Sequence, residues 1–138
     1  MTPITTSQST EQVTAACDKM IAAELNRDLE AVLDLIWDDA VWLAPNAPPV
    51  LGIAEIRSLF AEFFQLPFTD MTVDLTSIRV SESGDLATVW GTFALTFDSP
   101  EGQSTESMNF LMSWENRDGN WKTAANMFCT NTPLPQAE

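Results

Sequence analysis

The chain has 138 residues, 45% hydrophobic and 19% charged, which fits a single folded domain with a core of its own. Twenty acidic residues against six basic ones give a net charge of -14, and such a surface repels phosphate backbones and anionic lipid, so neither nucleic acid nor a membrane is an expected partner. Histidine and tyrosine are both missing, which excludes the commonest zinc, iron and copper sites, Ser-His and Cys-His nucleophiles, and a phenolic proton donor.

The N-terminal "MTPITTSQST" has neither a basic residue nor an apolar core, and no apolar run approaches the ~18 to 20 residues that span a bilayer, so a cytoplasmic location is expected. Residues 1–9 read as a flexible N-terminus, 10–130 as one domain and 131–138, with two prolines, as a flexible tail. Ser9 or Thr10 can cap a first helix, on which Val13, Cys17, Met20, Ile21 and Leu25 recur at helical spacing. Cys17 and Cys129 stand in no metal or redox spacing and are expected to be small core residues.

Asp28 is a fresh N-cap, and Leu29, Val32, Leu33 and Ile36 predict a second helix ending near Trp37. Asp38 and Asp39 then read as solvated turn residues before a strand from Ala40 to Ala44, and the prolines of "DDAVWLAPNAPPVLG" close an irregular hairpin. After Gly52, Ile56, Leu59, Phe60, Phe63 and Phe64 form the apolar side of a third helix stopped by Pro67. From Met71 onward, "SESGD", "DSPEG" and "NRDGN" divide the chain into strands near 71–80, 86–97, 105–115 and 120–129, an antiparallel meander. Helices first and a meander afterwards predict an α+β arrangement, with the helices on one face of the sheet.

Three segments together resemble the SnoaL-like, ketosteroid isomerase-like group of the nuclear transport factor 2-like superfamily: "NRDLEAVLDLIWDDAVWLAPNAPPVLGIAEIRSLF", "GDLATVWGTFALTF" and "RDGNWKTAANMF". The resemblance implies a cone: a curved antiparallel sheet wrapped on three N-terminal helices, enclosing an apolar cavity, often in a homodimer. It implies no single activity, because the fold hosts isomerases, dehydratases, cyclases, epoxide hydrolases and binding modules. Where ketosteroid isomerases resemble this chain, their carboxylate base falls on Ala44, their tyrosine hydroxyl on Met20 and their protonated aspartate near Met108. All three positions are apolar, so steroid isomerisation is not expected. Epoxide hydrolysis on this fold uses paired carboxylates and an arginine, and none of Arg27, Arg57, Arg79 and Arg117 reads as a strand-centre pocket residue.

Strand alternation puts Met108, Phe110, Met112 and Trp114 on one side, the expected interior. In the last strand periodicity does not choose between Ala124, Asn126 and Phe128 on one side and Trp121, Thr123, Ala125 and Met127 on the other; the resemblance favours Asn126 inward. The expected ligand-binding set is Met20, Trp42, Ala44, Phe60, Trp90, Met108, Asn126 and Phe128, with Phe64 nearby. Trp90 enters that set only through a bulge and otherwise belongs to a dimer face with Thr72, Leu111 and Thr123. Asp74 and Glu106 read as solvent-facing strand acids.

The leading expectation is a cavity that binds a small hydrophobic molecule, with no cofactor, no metal and enzymatic status open. One alternative is an acid/base enzyme of polyketide-cyclase or isomerase type, using an unrecognised carboxylate with Asn126 as polariser. Another is a dimerisation module with a filled cavity.

Overall fold

The computed structural model describes residues 6–135. Its elements are α1 (Thr6–Leu25), α2 (Leu29–Leu33), β1 (Ile36–Leu43), β2 (Val50–Leu51), α3 (Gly52–Phe63), β3 (Phe68–Val80), β4 (Leu86–Ser99), β5 (Gly102–Arg117) and β6 (Asn120–Thr130). One curved six-stranded sheet in the order β2-β1-β6-β5-β4-β3 wraps around the helices in the α+β cone expected for the fold. The meander β3 to β6 is antiparallel throughout. Because β1 joins β6 in parallel, the sheet as a whole is mixed.

Two helix limits differ from expectation. Within the described residues the first helix already runs at Thr6, so the expected caps Ser9 and Thr10 lie inside it, and Ser9 is buried there. The Ser9 hydroxyl lies beside Gly84, where an added Cβ would come within 3.6 Å of it, so this turn of the helix is packed against the β3–β4 turn. The second helix ends at Leu33 although the apolar stripe continues to Ile36. There the sheet wins over helical spacing: the Thr123 N–H donates to the Leu35 carbonyl, and Ile36 pairs with Thr123. Asp38 and Asp39 consequently lie within β1, exposed, and not in a turn. Asp39 and Glu115 pair with Arg117, whose guanidinium also stacks over the Trp37 ring.

Local signals explain the remaining helix starts. Asp28 caps α2, its carboxylate accepting from the Ala31 N–H, and the Glu55 carboxylate accepts from Leu51 N–H at the start of α3. After α3, Arg27 holds the turn into β3 by donating to the carbonyls of Phe64, Leu66 and Phe68.

The core lies between the helices and the inner sheet face. Val13, Cys17 and Met20 of α1 meet Ile56 and Phe60 of α3, Ala40 and Trp42 of β1, and Val89, Phe110, Met112 and Trp114 of the meander. Cys129, in contrast with the core role expected of it, is exposed, because it follows Met127 on the outer face of β6.

Two of the sheet's register shifts set which side chains along β3 and β6 face this core. On β3 the register with β4 shifts between Leu75 and Ser77, and there the two backbones approach so closely that a Cβ on Gly91 would fall 1.9 Å from the Asp74 carbonyl oxygen. Only glycine fits. On β6 the register with β5 shifts between the Ser113–Ala125 and Trp114–Thr123 pairs, which leaves Ala124 as an extra residue.

A candidate ligand cavity in the cone

The bulge at Ala124 resolves the two alternative faces of β6. Before it Trp121 and Thr123 point inward and are buried; after it Asn126 and Phe128 lie opposite the inner-face residues Met112 and Phe110. Thr123, one of the residues expected on a dimer face, is therefore fully buried, its hydroxyl donating within the sheet.

Between α1, α3 and the inner sheet face lies a cavity of about 290 Å³, close to the lower end of the ~300 to 1,000 Å³ usual for ligand sites. Met20, Trp42, Phe60, Met108, Asn126 and Phe128 of the expected set all line it. Trp42 meets Phe60 edge to face at 5.7 Å, and Phe93 bridges Phe110 and Phe128, each at 6.2 Å. These contacts fix an aromatic wall on both sides. Phe64 packs on Phe60 and Phe63 from behind and does not line the space.

Two expected site residues lie elsewhere. Ala44 follows the last residue of β1 and is not part of the lining. Trp90 is 47% exposed on the outer face, because the β4–β5 ladder runs without a break and keeps the strand alternation that buries Val89. The bulge that could have turned it inward is on β3 instead. Trp90 pairs with Leu111, Leu111 with Met127 and Met127 with Leu43, so four exposed apolar side chains form one row across the outer face.

Polar groups in the cavity are few. At one end, α1 is tied to β6 by the Trp121 indole, which donates to Gln12, and the nearby Trp114 is fully buried. Trp114 Nε1 and Asn126 Oδ1 are both buried without a hydrogen-bond partner among the described residues. At the other end, where Arg27 meets Phe68, Glu24 and the exposed Glu106 line the cavity together with the half-exposed Leu66. The cavity thus has a closed end and an open mouth.

Glu24 was not among the residues expected at the site. Burial alone pushes its carboxyl up to about 8, so it is mostly protonated near pH 7 although part of its surface still reaches the mouth. Its signal was present: Glu24 stands four residues after Met20 and seven after Cys17, on the same stripe, while the neighbouring Leu25 that the stripe was assigned is 41% exposed. Cys17 is also raised, to about 12, first by burial and then by Asp18, which leaves an unreactive thiol. Neither lysine nor arginine lines the cavity, and among the described residues no three metal-ligating side chains gather. The acid/base options in this lining are thus the carboxyls of Glu24 and Glu106.

This architecture is that of the nuclear transport factor 2-like fold. The profile of the SnoaL-like domain matches residues 17–124, and the chain belongs to that family. No curated protein matches it in sequence. Among solved structures, a ketosteroid isomerase-like protein from Erwinia carotovora atroseptica superposes with a TM-score of 0.76 at 23% identity, over 87% of this chain and 94% of its own. A nuclear transport factor 2-like superfamily protein from Salmonella enterica gives 0.77 at 13% identity over 96% and 98%. A protein of the same fold and of unknown function from Pseudomonas putida gives 0.76 at 15% identity over 90% and 87%. These likenesses concern the fold.

Proposed function

We propose that the protein is a cytoplasmic homodimer whose cone cavity binds a small hydrophobic molecule. The observation that carries this reading is the cavity itself: about 290 Å³ of space lined by Trp, Phe, Met and aliphatic side chains from five strands and two helices. Apolar surface held open at this scale gains free energy when an apolar ligand covers it, at roughly 25 cal/mol per Å². A filled dimerisation module would leave no such volume. The homodimer is supported by the outer row of Trp90, Leu111, Met127 and Leu43, which burial in a partner would remove from water.

A second reading, acid/base catalysis of cyclase or isomerase type, is favoured by Glu24. A carboxyl raised to about 8 in an apolar space can exchange protons near neutral pH, which is the property a general acid or base needs. Met20 and Met108 line the same space as apolar groups, so this chemistry would not be that of the steroid isomerases.

Titration with N-phenyl-1-naphthylamine, an uncharged fluorophore, tests the binding reading. Its emission should rise and saturate with the wild-type protein, and Met20→Trp, which fills the cavity from α1, should abolish the rise while retaining the far-UV spectrum. Equal enhancement by both proteins would move the probe to another surface and defeat the proposal.

A further inference from the structure

Resting on the binding reading above, we infer that the cavity selects an uncharged ligand with a hydroxyl head, an alcohol or phenol, inserted head-first so that Trp114 and Asn126 hold the hydroxyl at the closed end. Two orphaned groups carry the inference. Trp114 Nε1 is a donor and Asn126 Oδ1 an acceptor, both buried and both without a partner among the described residues. They belong to the same cavity lining. On the ladder, Asn126 faces Met112, and Trp114 follows two residues along β5 on the same inner face. The Ala124 bulge puts Asn126 on the same inner face as Trp114, since without it Asn126 and Thr123 would not share that face.

Leaving two polar atoms unpaired in an apolar space is unfavourable, and a ligand that pairs both recovers the loss. A hydroxyl does so with one atom: its oxygen accepts from the Trp114 N–H while its hydrogen is donated to Asn126 Oδ1. A carbonyl can only accept, so it pairs both groups only if the Asn126 amide turns over to present its NH2 to the cavity. A carboxylate would be desolvated with no cation in the lining to compensate it. The apolar body of the ligand then lies along Phe93, Phe110 and Phe128 toward the mouth at Glu24 and Glu106.

The test compares three naphthalenes of nearly one shape: 2-naphthol, 2-methylnaphthalene and 2-naphthoate, titrated into the full chain at pH 6.5 and followed by calorimetry. The hydroxyl compound should bind about tenfold or more tighter than the methyl compound, and the carboxylate more weakly than both. Asn126→Leu and Trp114→Phe should each bring 2-naphthol down to the level of 2-methylnaphthalene. Retained binding of the methyl compound shows that each variant is folded. Equal affinity of wild-type protein for 2-naphthol and 2-methylnaphthalene would overturn the head assignment while leaving the apolar cavity reading standing. If none of the naphthalenes and no N-phenyl-1-naphthylamine binds, the cavity reading fails and the head assignment falls with it.

Discussion

Asn126 faces Met112 across β5 and β6, two residues after Ala124 drops out of the ladder. This pairing puts Asn126 in a lining otherwise built almost wholly from carbon and sulfur, with its Oδ1 buried and unpaired among the described residues. Glu24 supplies a different polar point at the mouth.

Glu24 makes stability depend on pH. Its carboxyl in the folded chain is raised from an ordinary 4.5 to about 8 by burial, so the folded chain holds the proton more tightly than the unfolded one. Its contribution is fully present below the ordinary value, falls as pH rises from there, and is lost once pH passes the folded value. Discounted for the exposed part of the side chain, the loss should be about 1 to 2 kcal/mol. Glu24→Gln should remove this slope, so that denaturant midpoints of the two proteins agree near pH 4 and separate in favour of the variant by pH 9. Parallel profiles would show a carboxyl that titrates as in water.

Gly91 should be intolerant of any side chain. A Cβ there would lie 1.9 Å from the Asp74 carbonyl oxygen, inside a backbone that cannot move without breaking the β3–β4 register. Gly91→Ala should lower stability by roughly 2 to 4 kcal/mol, read from urea unfolding. A change below half a kilocalorie on that scale would mean that the bulge at Thr76 relaxes freely.

The outer row predicts the assembly state. Trp90, Leu111 and Met127 are 47%, 47% and 48% exposed in one chain and adjacent across three strands. Light scattering should find a dimer, strengthened by salt because the net charge of -14 opposes association. Leu111→Glu should give a monomer with an unchanged far-UV spectrum. A wild-type monomer at both low and high salt would contradict the homodimer.

Steroid isomerisation should be absent. Met20 and Met108 occupy the cavity where a hydroxyl and a carboxyl would be needed, and Ala44 does not reach the lining. Incubation with a 5-en-3-one steroid should leave the absorbance of the conjugated product at background. Turnover that a cavity substitution abolishes would refute the assignment of those positions.

How far the sequence revealed this molecule can be seen from particular residues. The order of three helices and a meander, Asp28 as a cap, and the inward set of Met108, Met112 and Trp114 were all legible, because each rests on local chemistry or on strand alternation. Ile36 sits on a stripe that fits both a helix and a strand, and only the distant Thr123 decides for the strand. The Ala124 bulge has no marker of its own, yet one added residue exchanges the two faces of β6. The expected Trp90 site failed for the same reason in reverse, its bulge being on the neighbouring strand. Glu24 lies on the Cys17–Met20 stripe by spacing although its charge points to solvent, and there the spacing decides.

The measurement that tests the central claim most directly is a crystal structure of the protein saturated with N-phenyl-1-naphthylamine. Electron density for the probe should lie inside the cone, between the Trp42–Phe60 pair and the Phe93–Phe128 pair, with the side chains there in contact with its rings. An empty or collapsed cone, with the probe seated only on the outer row at Trp90 and Leu111, would contradict it.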